Sequence, residues 1–169
     1  WVGGMTNTFT YGNLALRFLI DGRFGGEVYS GTDAGLDAAG TSERTLKYRE
    51  EGVIIDGVRT DGAVNAAQIN AGQYWGSYSS IASNYIYDQT NIRLRELALT
   101  YDIPRATLEK TFIKGLSVGV TGRNLFFIYR AIDNFDPEGS FSVSNFAQGV
   151  LFYTMPTTRS VGFNLSVKF

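Results

Sequence analysis

The chain has 169 residues, 44% of them apolar, with 15 basic and 16 acidic side chains and a net charge of −1; that balance excludes a disordered polyampholyte and gives no basic surface for nucleic acid. Cysteine and histidine are both absent, which removes disulfides, thiolate nucleophiles, zinc–sulfur centres and the commonest general base together. Twenty glycines, ten tyrosines and twelve phenylalanines stand against three prolines, yet no apolar run approaches the ~18 residues that a transmembrane helix needs.

Period-two alternation dominates from the start. A strand is predicted over about 4–11, with Met5, Phe9 and Tyr11 on one side and Thr6, Thr8 and Thr10 on the other; Asn7 falls on the apolar side. Gly12–Asn13 then reads as a two-residue hairpin turn. The next strand, about 14–22, sets Leu14, Leu16, Phe18 and Ile20 against Ala15, Arg17 and Asp21. A long stretch rich in Gly, Ala, Ser and Asp follows, about 23–90. A third strand, about 91–103, opposes Leu97, Leu99, Tyr101 and Ile103 to Glu96, Ala98, Thr100 and Asp102; Ile92 and Leu94 are out of phase with them, which predicts a bulge or a stretch outside the bilayer. Residues 104–114 form a moderate connection with room for one helical turn. The strand over about 115–129 opposes Leu116, Val118 and Val120 to Ser117, Gly119 and Thr121, and a second long stretch runs over about 130–157. Last, over about 158–169, Val161, Phe163, Leu165, Val167 and Phe169 alternate with Ser160, Gly162, Asn164, Ser166 and Lys168.

The connections therefore run short, long, short, long, as the turns and loops of an outer-membrane barrel do, while a soluble β-sandwich shares the alternation but not that rhythm. Ten residues at ~3.3 Å each, tilted by ~45°, rise about 23 Å, close to the ~25 Å apolar band of such barrels. Tyr11 and Phe169 fall where an interfacial aromatic girdle sits. Five strands are too few to close a barrel, so either a larger polypeptide or several chains must complete it. The first residue is Trp1 rather than Met, and further sequence is expected upstream.

Four blocks in order carry a resemblance. Tyr87–Pro104 (YDQTNIRLRELALTYDIP), Gly122–Phe126 (GRNLF), Asn134–Glu138 (NFDPE) and Thr158–Phe169 (TRSVGFNLSVKF) are similar to strand and loop signatures of the SusC/RagA family of TonB-linked outer-membrane proteins. Gly3–Tyr11 and Phe18–Gly31 resemble the preceding hairpin and the start of its long loop. Phe152–Pro156 (FYTMP) departs from the family's more usual Tyr-Pro. The resemblance implies an all-β fold, an antiparallel transmembrane β-barrel, with this chain as about the last five strands of a roughly 22-stranded plugged barrel. It places the plug domain outside the chain, the loops at about 23–90 and 130–157 outside the cell, and the last strand descending to a periplasmic C-terminus.

Implied with the fold are a Bacteroidetes-type outer membrane, TonB-energised nutrient import and a SusD-like surface lipoprotein as lid. The rest of the barrel and its plug, membrane lipid and the TonB system, reached through the missing N-terminal part, would be the other partners. Oligosaccharides are the expected substrate, with peptides, as in importers of the RagA kind, the alternative. A self-standing β-rich structural or adhesive module is the rival reading. Tyr74, Trp75, Tyr78, Tyr85 and Tyr87 are the candidate ligand-binding residues, because a pyranose offers a C–H face to an aromatic ring; the same rings could instead pack the loop against itself or the lid. Asp133, Asp136 and Glu138 lack the spacing of a calcium loop. Glu50, Glu51, Asp33 and Asp37 have nothing to distinguish them from solvated loop charges. No catalytic residue, metal ligand, cofactor or nucleic-acid partner is expected, and Arg17, Asp21, Arg93 and Arg95 are read as a hydrogen-bonded lumen wall or plug contact.

Overall fold

The computed structural model describes residues 1–142 and 144–169. Two compact units divide the chain, one of residues 1–26, 88–139 and 155–169, the other of residues 27–87 and 140–154.

The first unit is a five-stranded antiparallel sheet built from β1 (Val2–Tyr11), β2 (Leu14–Arg23), and three later strands. Among the described residues ten strands occur in chain order, so these are numbered after β3 (Glu27–Ser30), β4 (Val53–Ile54), β5 (Gln68–Ile69) and β6 (Ile86–Asp88) as β7 (Asn91–Asp102), β8 (Gly115–Arg130) and β10 (Ser160–Lys168), with β9 (Val150–Leu151) between the last two. The sheet order β1-β2-β7-β8-β10 is a meander: each strand pairs with the next one to return. Tyr11 pairs with Leu14 across Gly12–Asn13. Gly12 carries a positive φ of 57° there, as the first central residue of a type II′ turn demands, and that turn matches the right-handed twist of a hairpin. Residues 103–114 close the second short connection, with one turn of helix, α3 (Arg105–Leu108), whose Leu108 is buried.

The phase slip expected around Ile92 and Leu94 is a bulge centred on Arg95. Leu19 pairs with Glu96 and Ile20 with Leu94, so Arg95 is the extra residue on β7. The pairing with β8 shifts at the same place, from Leu94–Phe126 to Glu96–Arg123. Inserting one residue into β7 brings Leu94 to the face of Leu97 and Leu99, opposite Ile20, and it turns Arg95 to the side of Glu96. Asn124, facing the bulge, has φ 51°, a left-handed conformation that asparagine tolerates better than most residues.

The second unit gives structure to both long stretches, which periodicity left without elements. α1 (Gly31–Ala38) is N-capped by Ser30, whose hydroxyl accepts from the Asp33 N–H. α2 (Ala71–Ser79) begins with a full capping box between Asn70 and Gln73. β3 takes β6 on one side and β9, in parallel, on the other, while β4 and β5 pair with each other. Val28, Ala34, Trp75, Tyr85 and Leu151 are the buried apolar centre of this unit.

Candidate functional site: a two-faced sheet and two polar clusters

Register turns the alternation of single strands into rows across the sheet. Phe9, Leu16, Leu99, Val120 and Phe163 lie side by side across all five strands, and so do Tyr11, Leu14, Tyr101, Val118 and Leu165. A third row, Met5–Ile20–Leu94–Phe126, continues this face beyond the bulge. The apolar face is uncovered: Phe163 is 87% exposed, Leu165 69% and Phe9 57%. Burying one such side chain is worth about 1.5–3 kcal/mol, and a contiguous patch of this extent is the mark of a membrane or protein partner. Asn7 is the one polar side chain in the neighbouring row, with Phe18, Leu97, Gly122 and Val161.

The opposite face is polar and cross-linked. Thr10, Ala15, Thr100, Gly119 and Asn164 form one row, and Thr8, Arg17, Ala98, Thr121 and Gly162 the next. Asn164 donates to Thr121 Oγ1 at 2.9 Å, Ser117 donates to Asp102 at 2.6 Å, and Arg123 lies 3.2 Å from Glu96. Leu19, opposite Glu96, and Phe127, opposite Arg93, are apolar side chains on this face.

Where the sheet passes the bulge, the polar face gathers into a charge cluster. Arg95 donates through Nε to Asp21 at 2.8 Å and through one terminal nitrogen to Asn124 Oδ1 and Glu138, both at 3.0 Å; its other terminal nitrogen also meets Glu138. Arg93, its side chain 5% exposed, reaches the same Glu138 at 2.7 Å and lies 4.4 Å from the centre of the Phe127 ring. Asp136 accepts from the backbone N–H of Glu138 and from both the N–H and hydroxyl of Thr157. Burial opposes its ionisation, but those hydrogen bonds and nearby Arg93 outweigh it and hold the carboxyl below the usual range. Gln89 completes the cluster, accepting from Arg23 and donating to the carbonyl of Pro137 at 3.2 Å. Asp21, Arg93 and Arg95 thus come together with Asp136 and Glu138, while Arg17 stays apart, 3.9 Å from Glu96. Asp136 and Glu138 are engaged by arginines and hydrogen-bond donors, and Asp133 stands 88% exposed beside Arg130. Nothing in the periodicity marks Gln89 or Asn124; the sequence signals for the cluster are the break of phase at Ile92 and Leu94 and the Asn134–Glu138 block, which holds Asp136 and Glu138.

The second cluster lies in the other unit. Asp37, fully buried, accepts from Arg44 Nε at 2.8 Å, from the Tyr85 hydroxyl at 2.8 Å and from Ser42. Burial raises its pKa and these donors lower it, with a net value below normal. Burial and the bond to Asp37 push the Tyr85 hydroxyl well up. Arg44 also lies 3.5 Å from the Tyr87 hydroxyl. The loop rings assemble beside this pair. Tyr74 stacks on Tyr78 at 5.7 Å, and both meet Trp75 edge-on at 5.1 and 5.4 Å. Tyr78 contacts Tyr85 at 6.0 Å, and Tyr48 closes on Tyr74 at 5.0 Å. Trp75 and Tyr85 face the interior of their unit, Trp75 donating to the Lys47 carbonyl at 3.3 Å; Tyr74, Tyr78 and Tyr87 are half-buried. A hollow of about 320 Å³ beside them is lined by Gly40, Thr45, Arg49, Ala71 and Trp75.

No family model matches the chain. Among curated proteins it is similar to TonB-dependent receptor P26 of Formosa agariphila, 28% identical over 177 aligned positions and 98% of this chain, and to TonB-dependent receptor P3 of the same organism, 30% identical over 94 residues and 53% of this chain. The chain spans 16% and 9% of the lengths of those two relatives. Among solved structures it superposes on the RagAB peptide transporter with a TM-score of 0.65, over 99% of this chain and 17% of that one, at 16% identity. A RagAB peptide importer in a closed-closed state gives 0.62 at 17% identity, again over 99% and 17% of the two chains. In sequence the chain is similar to TonB-dependent receptors, and in fold to a part of the RagAB transporter. The sheet has the fold of a part of that barrel rather than of a closed one. The relatives carry the names of receptors and transporters.

Proposed function

We propose that this SusC/RagA-type sheet is wall of an outer-membrane barrel that imports a nutrient with TonB-supplied energy. The observation behind this reading is the row Phe9–Leu16–Leu99–Val120–Phe163, apolar across five strands and uncovered by the chain itself. Further strands of the receptor pair with the free edges of β1 and β10, a plug fills the lumen, and a SusD-like lipoprotein covers the loop face. Oligosaccharides are the proposed cargo, taken up past the loop rings Tyr74, Tyr78 and Tyr87, with the more buried Trp75 and Tyr85 holding that surface in shape. Peptide cargo is the second reading, favoured by the likeness to a structure named a peptide transporter. Unchanged oligosaccharide uptake in Tyr78→Ala would remove the ring from the cargo path.

The wall assignment is tested by single-cysteine variants of the membrane-embedded protein. Cysteine at Phe163 should react with a lipid-soluble maleimide and resist a charged, membrane-impermeant one. Cysteine at Asn164, one residue along and on the polar face, should show the reverse preference once the lumen is opened to solvent. Equal reaction of both positions with the charged reagent would sink the assignment, because it would place both faces in water.

A further inference from the structure

The charge cluster of the first unit sits where the chain leaves and re-enters that unit. The chain crosses between units after Gly26, Tyr87, Gly139 and Thr154. Residues next to each crossing are tied into one hydrogen-bonded set, and all of its members belong to the first unit. Beside the first two crossings, Gly26 accepts from the Gln89 N–H at 2.9 Å, the Gly25 N–H donates to Thr90 Oγ1 at 2.9 Å, and Arg23 donates to the Gln89 side chain. Beside the third, Pro137 accepts from Gln89, and Glu138 is held by Arg93 and Arg95. Beside the fourth, Thr157 donates twice to Asp136, and Thr158 accepts from Asn124 at 3.0 Å. Gln89 joins the first three crossings through Gly26, Arg23 and Pro137; Arg95 adds the link toward the fourth, joining Asp21 on β2, Asn124 on β8 and Glu138 on the returning segment.

From this geometry we infer that Arg95 is a positioning residue, the keystone of a collar that fixes the roots of both long excursions of the chain. The bulge is what supplies it. An unbulged β7 would alternate Arg95 to the face opposite Glu96, whereas the extra residue puts both on the polar side, with the guanidinium fork across three strands. Its fork is used through all three nitrogens, which a lysine cannot reproduce. Arg93 alone is a lesser anchor, since it meets Glu138 and Asp136 but touches neither Asp21 nor Asn124 in the bonding found here. The collar holds whether or not the receptor imports what is proposed above.

Hydrogen exchange read by mass spectrometry on the detergent-purified receptor tests this. Charge-assisted hydrogen bonds contribute about 1.5–3 kcal/mol each, so Arg95→Gln should speed exchange roughly ten- to a hundredfold in residues 133–139 and 155–158, and measurably in 23–26 and 88–91. Amides of 97–102 and 116–122 should stay within about twofold of the parent, because they are held by the sheet ladder. Arg95→Lys should resemble Arg95→Gln rather than the parent. Unchanged exchange at the four roots would overturn the inference, as would acceleration spread evenly through the sheet. Should Arg95→Gln fail to insert, Glu138→Gln serves: faster exchange of 133–139 with a protected sheet supports the collar, and no local change refutes it. A parent receptor that takes up no oligosaccharide, while Arg95→Gln still shows the local acceleration, would count against the proposed cargo and leave the collar standing.

Discussion

Replacing Asp37 by alanine would leave Arg44 facing a void and the Tyr85 hydroxyl without its acceptor. Breaking a buried ion pair from one side costs about 3–5 kcal/mol, and the low end applies because Arg44 keeps a third of its side chain in water. Asp37→Asn retains shape and one acceptor oxygen and should cost less. Acid should act as the mutation does. The folded-state pKa of Asp37 lies below the usual 3.8, so its contribution is complete at neutral pH, persists above pH ~4, and is lost as pH falls through the lowered value. Protection of the α1 amides, relative to their intrinsic exchange rate at each pH, should therefore fall below about pH 4 in the parent and be nearly pH-independent, but already low, in Asp37→Ala. An α1 that loosens instead as pH rises from 5 to 8 would contradict this account. The half-buried Tyr74 and Tyr78 differ from Tyr85 in this respect: their rings pack on neighbours, whereas Tyr85 also satisfies a buried charge.

For the strands, neighbouring residues should behave oppositely. Leu16 lies mid-strand in the apolar row, between Phe9 and Leu99; Ala15, next to it, lies in the polar row between Thr10 and Thr100. An arginine facing lipid near the midplane costs about 2–4 kcal/mol, while the lumen accepts charge. Leu16→Arg should lower the heat-modifiable, protease-resistant fraction on an unboiled gel far more than Ala15→Arg. Val118→Arg against Ser117→Arg repeats the comparison on β8, on the same two faces but in other rows, Val118 beside Tyr101 and Ser117 beside Asp102. Both pairs reversing would mean that the faces are assigned backwards, with Ala15 and Ser117 in a buried core. Both members tolerated would mean that the apolar face meets no lipid.

At the scale of the molecule, the five-stranded sheet ends on two unpaired edges, β1 on one side and β10 on the other. Every residue of β1 is exposed, and an open edge presents a row of free N–H and C=O groups that in hydrocarbon cost several kcal/mol each. An apolar face and two edges together are an aggregation hazard in water. Residues 1–169 expressed alone should therefore not stay monodisperse in detergent-free buffer. A stable, soluble 18.6 kDa monomer would instead favour a self-standing β module. Phe112 and Phe169, stacked at 5.7 Å and both largely exposed, lie at the end of the sheet that also carries Tyr11 and Tyr101, as a girdle at a membrane interface would require.

Much of this sheet was legible because strand alternation has a fixed period of two, and because a hairpin turn such as Gly12–Asn13 leaves a local chemical mark. The five long strands, the two faces and the bulge all follow from residues close together in sequence. The SusC/RagA likeness was equally readable, since its blocks are short and ordered along the chain. Tertiary structure alone decided the rest. The elements of the second unit rest on caps, a capping box and two-residue strand pairings too brief for periodicity to register. The collar around Arg95 joins Asp21, Asn124 and Glu138 from positions separated by 74, 29 and 43 residues. In the same way the acceptor for Tyr85 lies 48 residues away at Asp37. A one-dimensional pattern reports which way a side chain turns relative to its neighbours; which distant partner it meets is set by strand register and by the return path of the loops.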